Sequence, residues 1–580
     1  AYVGEQIPKK FPSMVTPQQQ ADALFQSYSN SGQAFPYGSF YGSGASPVLP
    51  DYIIEGPTPN VGVGAGDPAA DPSLYDFVNY RILKANKAGT NWWKTLFQPA
   101  FIQNHQLSIS GATDKNNYAV TFGYLGDNGT LLNSYFRRLS LRVNTDFKLK
   151  PWLRIGENME FSYTTNNTIS TSNMDNNQLN FNNDITDLYS LSPLLPTHDI
   201  NGNIAGTGGA PNLLGGSNPL IGRSNAGNSK SYTESIIGSA YMEVEPIKNL
   251  TIQTKIGVQF VPNQYHSFND SFPQEPIPSH LTYYYEGGST YTDWRWLNKI
   301  AYSYTLNDIH KFSAFVAYEA RELISRYNGI VMTNLISSAP NFQYVSDGVL
   351  NPNFPPQGLG SVQTGTSVFG NLTYSLLDKY LFSGTLRYDG SSIFGTNRKY
   401  GTFPALSAGW RISQEKFMDP VTWVSDLKLR ASWGKAGNDA IPPGTQFGLI
   451  RSNDPIYGGY DLGGTNLSQV LGAYASQIGN PDIRWESNIT TNIGFVAAFW
   501  NNRITASFNW FNRKTSDLLY EPPYTGTAGA ASAPYKNIMS FTNKGIELEL
   551  GLRGGDPNKL GYDINFNISG YRSNVDYIDG

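Results

Sequence analysis

The sequence predicts an all-β chain, a transmembrane antiparallel up-and-down β-barrel, and three observations carry that prediction. Apolar and polar residues alternate with a period of two over long segments, the signature of strands whose two faces meet different surroundings. Short and long connections between those segments follow one another in turn. The 580 residues are only 15% charged and 39% hydrophobic but 14% aromatic, with 58 Gly. No run approaches the roughly 18 apolar residues that a spanning helix requires, and the wealth of aromatic and β-branched residues argues against disorder.

Taken in chain order, the first long connection covers about 4 to 105, and the first clear hairpin turns at TDKNN, 113 to 117. The next strand sets Leu139, Leu141, Val143, Thr145, Phe147 and Leu149 on one side and Ser140, Arg142, Asn144, Asp146 and Lys148 on the other. KLKPW (148 to 152) turns the chain into a strand in which Glu157 shares the parity of Leu153, Ile155, Met159 and Phe161. Either a bulge shifts that register or the carboxylate reaches a polar partner. The same alternation recurs at Leu250 to Phe260, at Ile489 to Phe499 and at Ile546 to Leu552. Further short turns fall at 246 to 249, 306 to 308, 376 to 379, 414 to 426, 500 to 503 and 554 to 559. Long connections fall near 165 to 231, 261 to 290, 321 to 365, 437 to 486 and 515 to 541, with shorter ones at 126 to 134 and 391 to 400.

Strand length decides between two all-β readings. Strands of soluble sandwiches run about five to six residues, whereas a tilted spanning strand needs about nine to eleven. These segments have the longer length, and tight turns at one end with large loops at the other is the asymmetry of an outer-membrane barrel. Eight turns and eight loops imply about 17 strands. An odd number would leave unpaired edges in lipid, so the barrel is expected to continue beyond Gly580. Trp152, Trp294, Trp296, Trp410, Trp433, Trp500 and Trp510 suit the interfacial aromatic girdles.

Several function classes drop out. A net charge of -4 gives no reason to expect nucleic acid, and the absence of Cys excludes disulfides, thiolate metal sites and Cys nucleophiles. The histidines at 105, 198, 266, 280 and 310 are scattered, without the spacing of a helical zinc site. GVGAG (62 to 66) has no strand before it and no helix after it, so it reads as a flexible loop rather than a phosphate cradle. Asp184 and Asp187 lie in an Asn-rich loop without a partner base. DINGN (199 to 203) offers alternate oxygen ligands but no downstream Glu at the calcium-loop distance, so a plain turn is the better reading. No enzymatic motif, cofactor or metal is expected.

Binding is the more promising activity. Tyr283, Tyr284 and Tyr285 cluster at the outer end of a strand; Phe35, Tyr37, Phe40 and Tyr41 cluster in the first loop, and Tyr457 lies near Tyr460. Aromatic faces of this kind meet sugar rings, peptide side chains or a protein partner, and packing within the loops is the competing reading. Arg142, Arg154, Lys255, Lys428 and Arg430 fall on the polar parity and are expected on the lumenal wall, where acidic groups at matched heights would pair with them.

Particular strings narrow the class to a family. NHQLSISGATDKNNYAVTFGYLGDNG (104 to 129), YFRRLSLRVNTDFKLKPWLRIGENMEFSY (135 to 163), TLRYDGSSIFGTNRKYGTFPALSAGWRISQEKFM (385 to 418), LKLRASWGKAGN (427 to 438) and NPDIRWESNITTNIGF (480 to 495) resemble the SusC/RagA-type TonB-linked outer-membrane transporters of Bacteroidetes. The resemblance implies a 22-stranded barrel blocked by an N-terminal plug, which the basic residues of the lumenal wall would contact first and cargo second, contact of that plug with TonB, and a SusD-like lipoprotein over the extracellular loops. It also implies active import of an oligosaccharide or a peptide. Residues 1 to 580 are then expected to be a partial barrel, with the plug and the last strands outside this sequence. Two alternatives stand beside it: a single-component siderophore or vitamin receptor, and an all-β surface adhesin that binds glycans.

Overall fold

The computed structural model describes residues 1–55, 61–167, 188–207, 211–215, 218–272, 281–352, 354–452, 459–461, 469–525, 527, 529, 531–555 and 560–578. Period-two sequence becomes one antiparallel sheet of 18 strands. Its wall is built, in chain order, from β1 (Tyr2–Gln6), β2 (Ala100–Ala112), β3 (Asn116–Asn128), β4 (Tyr135–Lys150), β5 (Leu153–Asn167) and β6 (Lys230–Ile247). There follow β7 (Leu250–Asn269), β8 (Tyr283–Leu306), β9 (His310–Thr333), β10 (Gln357–Leu376), β11 (Tyr380–Ser391) and β12 (Tyr400–Arg411). β13 (Val424–Asn438), β14 (Glu486–Phe499), β15 (Ile504–Tyr520), β16 (Lys536–Gly555) and β17 (Gly561–Ile578) complete it. Each pairs with the next in sequence from β1 to β17. The remaining strand, Val349–Leu350, adds two residues to the upper end of β9. No helix among the described residues is long and apolar enough to cross a membrane.

The strands outrun the sequence expectation. β8 and β9 have 24 residues each, about 80 Å of extended chain, against an apolar band of about 25 Å. Loops expected at 261–290 and 321–365 therefore shrink, because β7 persists to Asn269 and β9 to Thr333. The short connections are tight turns. Asn307, Asp308, Asp378, Asn501 and Asn502 take positive φ there, a conformation that Asn and Asp tolerate and hairpins require.

The outer face is apolar and uncovered: Ile256 is 57% exposed, Ile300 54%, Val316 62% and Leu406 61%. Two aromatic rows bound it. At the short-turn end Phe312, Tyr374 and Phe382 stack across three strands, with centroids 4.6 and 6.5 Å apart. Trp423 stacks on Phe499 and Trp500 in the turns themselves. Tyr380 stacks on Trp410 at the same short-turn end, and eight residues further along β11 Tyr388 stacks on Tyr400 at 5.0 Å. Eight residues of tilted strand rise about 20 Å, the spacing of two membrane interfaces.

Glu157 stays on this outer face. The β4–β5 register is regular from Tyr135 to Lys148, so no bulge rescues it; the Thr145 hydroxyl directly opposite donates to its carboxylate instead.

Candidate functional site: the lumenal wall and the loop head

The inner face carries the polar half of each strand, and its charges are paired across strands as register dictates. Arg142 and Glu160 are direct partners in the β4–β5 ladder and form an ion pair. Arg154 makes a two-pronged contact with Asp146, whose carboxylate also takes the Tyr241 hydroxyl. Tyr241 reaches it by lying over Gly156, where a Cβ would sit 2.7 Å from the ring. Higher on the wall Asp293 holds Arg321 at 2.9 Å and Arg295 at 3.3 Å. On β11, Arg387 chelates Asp389 while its guanidinium covers the Phe369 ring at 4.1 Å.

Lys255, Lys428 and Arg430 lie on the same inner face. Lys255 stands in register with Tyr241 and Leu297, and it makes no ion pair among the described residues. Lys428 and Arg430 line a cavity of about 830 Å³ together with Ser303, Ser313, Ser407 and Asn492. A neighbouring cavity of about 610 Å³ continues along Thr385, Ser432, Thr490 and Arg513.

At the mouth, the three consecutive tyrosines separate because adjacent residues of a strand face opposite sides. Tyr284 turns outward, is 3% exposed against Phe268, Met332 and Leu335, and donates to Glu286 at 3.0 Å. Tyr285 turns inward, packs on Tyr265 at 5.6 Å and shares a hydroxyl contact with Tyr327. Tyr283 is half-buried at the rim. Tyr265, Tyr285 and Tyr327 thus form an inward trio at the rim.

Above β2 to β6 the long connections fold into a head with its own dry core. The helix Pro17–Ser31 starts at Thr16, whose hydroxyl accepts from the Gln19 amide while the Gln19 side chain accepts from the Thr16 amide, and it ends at Gly32 with φ 68°. Its Ala21 meets Trp92, Leu96, Leu188, Leu191, Leu194, Leu195 and Leu214 in one cluster. Phe40 and Tyr41, candidates for ligand contact by sequence, are 4% and 0% exposed inside that cluster, so their surface is spent on packing. Burial pushes the Tyr41 phenol up to about 12. Phe35 and Tyr37 stay half-buried and pack edge-on with Tyr28 of the helix. Tyr457 lies outside the described residues, and Tyr460 is described only as a backbone partner of Val470.

Two motifs resolve as structural. Asp199 of DINGN spends both oxygens on the Asn201 and Asn203 amides and the Tyr75 hydroxyl, so it is a turn; Tyr75 is in turn pushed up to about 12 by burial and that carboxylate. Gly62 of GVGAG pairs within a small sheet and packs beneath the Phe40 carbonyl. Asp184 and Asp187 lie outside the described residues. The run NPDIRWE clasps neighbouring loops: Asn480 donates to the Tyr535 carbonyl, Arg484 pairs with Asp517 at 2.7 Å, and Trp485 donates to the Lys399 carbonyl. Glu486 accepts from the Asn438 side chain and the Leu519 amide. Gly395 meets Pro481 so closely that a Cβ would sit 2.3 Å from its carbonyl oxygen.

An apolar outer belt between aromatic rows, a charged and hydroxylated inner wall, and turns opposite large folded loops define an outer-membrane β-barrel. Residues 175–580 match the family described as TonB dependent receptor-like, beta-barrel, and the chain belongs to that family, whose members are transporters of the outer membrane rather than enzymes. TonB-dependent receptor P26 of Formosa agariphila is 27% identical over 471 residues, 79% of this chain and 44% of that protein. TonB-dependent receptor SusC of Bacteroides thetaiotaomicron is 25% identical over 521 residues, 85% of this chain and 49% of that one. The chain therefore spans under half the length of these curated relatives. Among solved structures, the RagAB peptide transporter superposes with a TM-score of 0.72 at 21% identity, over 84% of this chain and 52% of the other, a likeness of fold.

Proposed function

We propose that this chain forms the barrel wall and loop head of a TonB-dependent importer that carries an oligosaccharide or a peptide across the outer membrane, with a SusD-like lipoprotein seated over the long loops. The observation that carries the reading is the division of the barrel into a membrane belt, a polar lumen and a packed loop head at one end only. A head with its own core offers a firm seat to a partner, while the inward tyrosines at the rim and the hydroxylated wall below them suit a polar cargo. The likeness to SusC and to the RagAB peptide transporter supports the same reading. No step of covalent chemistry is assigned to any residue.

The test is uptake by cells carrying the full-length receptor and its neighbouring lipoprotein, with panels of oligosaccharides and oligopeptides, in the presence and absence of TonB. Energy-dependent uptake from one panel, lost without either TonB or the lipoprotein, is the expected result. Uptake of a ferric chelate alone, independent of the lipoprotein, overturns it in favour of a single-component receptor.

A further inference from the structure

Five arginines of the lumenal wall face a carboxylate: Arg142 with Glu160, Arg154 with Asp146, Arg321 and Arg295 with Asp293, Arg387 with Asp389. The sector formed by β12 and β13 breaks that pattern. Arg411 and Lys428 are direct partners in the ladder, and both lie on the inner side, since their neighbours Trp410 and Leu429 are exposed on the outer one. Like charges opposite each other in a ladder destabilise a sheet. Arg430 follows two residues on, flanked in register by Gly409 and Gly494, so no neighbouring side chain crowds its guanidinium.

The carboxylates that border the sector are already engaged. Asp378 takes Lys311 at 2.6 Å and reaches Arg411 only through space, Asp426 takes the Ser413 hydroxyl at 2.9 Å, and Glu415 takes Tyr380 at 2.7 Å and Lys379 at 3.2 Å. Among the described residues Lys428, Arg430 and Arg411 make no ion pair. The 830 Å³ cavity above them has a lining rich in Ser, Thr and Asn and without a single Asp or Glu. Guanidinium and ammonium groups beside a bank of hydroxyls and amides match a ligand that carries both carboxylates and hydrogen-bonding groups.

We propose that the Arg411–Lys428–Arg430 sector is a lumenal subsite for the carboxylates of an anionic cargo, so that the transported oligomer is acidic rather than neutral. The inference rests on the import reading above and deepens it. A carboxylate there relieves the Arg411–Lys428 repulsion and gains directional bonds from Arg430, while Ser407, Ser432 and Asn492 meet the rest of the chain.

The experiment compares full-length wild-type receptor with the K428Q/R430Q double variant. Binding of two matched pairs of probes is measured by calorimetry: trigalacturonate against maltotriose, and a Glu-rich octapeptide against its Gln counterpart. The expected result is a preference of wild type for the acidic member of at least one pair, weakened about ten-fold in the variant and restored by K428R/R430K, with neutral probes unchanged. Equal binding of acidic and neutral members, or equal loss of both, overturns the proposal. So does unchanged binding accompanied by new leakage of small antibiotics through the variant in cells, which assigns the sector to a protein segment inside the lumen. Energised uptake of neutral probes only, by wild-type cells, sinks the acidic subsite alone; the absence of TonB-dependent uptake of any probe sinks the import reading itself.

Discussion

The loop head and the barrel wall use the same apolar side chains in opposite ways. In the head, Leu188, Leu194, Leu195 and Trp92 are 0 to 1% exposed and face one another. In the wall, Ile256, Ile300 and Val316 are more than half exposed and face outward. The difference lies in the surroundings. Head residues leave water on folding and gain about 25 cal/mol for each Å² of apolar surface covered; wall residues meet hydrocarbon and gain from it without touching each other. A substitution should therefore act through packing in one region and through lipid in the other.

The largest expected effect breaks the head. Trp92→Ala removes a side chain that is 1% exposed and whose indole donates to the Ser192 carbonyl at 3.2 Å, so about 3–5 kcal/mol of local stability should go. Hydrogen exchange should show head amides losing protection while β8 to β12 keep theirs. Equal loss in both regions would mean that head and wall fold as one unit. Next comes the wall. Val316→Arg, at a position 62% exposed within the apolar belt, should cost about 2–4 kcal/mol of insertion stability in bilayers. The same change at a solvated position, Val48, 67% exposed in the head connection, should cost under about 0.5 kcal/mol. A matching cost at both sites would remove the lipid from the argument.

Much of the wall was legible because a strand's period is local: Leu139 to Leu149 reveals both faces without any knowledge of neighbours. Strand number followed from counting turns, and Arg142 and Arg154 found acidic partners as expected once strands lay side by side. The head was not legible. Its core joins Trp92 to Ser192 and Gln20 to Ser192, contacts 100 and 172 residues apart, and nothing in a window of ten residues reveals such pairings. For that reason Phe40 and Tyr41 looked like surface aromatics. The Tyr283–Tyr285 run divides for a simpler reason: a strand cannot present three consecutive side chains on one face. Tyr265 and Tyr327, the partners that make the inward trio, could have been found by aligning β7, β8 and β9 and taking the polar parity.

A smaller effect separates the regions by pH. Tyr41 is buried in the head, its hydroxyl has no partner among the described residues, and burial pushes its phenol up to about 12 from the model-compound value of 10.0. A raised pKa in the folded state means stability that is complete below about pH 10 and drains away as pH climbs to about 12, by up to about 2–3 kcal/mol. Tyr41→Phe should abolish that alkaline loss and, by removing an unpaired buried hydroxyl, raise head stability at pH 7 by about 1 kcal/mol. Hydrogen exchange of head amides between pH 7 and 11 measures both; a Phe variant as alkali-sensitive as wild type would mean that another group governs the loss.

The smallest expected effect lies on the wall's outer face, where a single hydrogen bond keeps a carboxylate among apolar neighbours. Glu157 shares its face with Met159 and Phe161 and depends on the Thr145 hydroxyl opposite. Thr145→Val keeps shape and removes the donor, leaving the carboxylate without its hydrogen bond, at a cost of about 1–2 kcal/mol. Glu157→Gln keeps an acceptor for Thr145 without the charge and should leave bilayer stability unchanged within about 0.5 kcal/mol. In the double variant Thr145→Val with Glu157→Leu, both polar partners become apolar and the loss should vanish, since replacing both members of a buried pair is close to neutral. Urea titration of protein refolded into bilayers gives the three values. If Thr145→Val alone costs nothing, Glu157 meets water rather than lipid, and the apolar belt stops short of this point on β4 and β5.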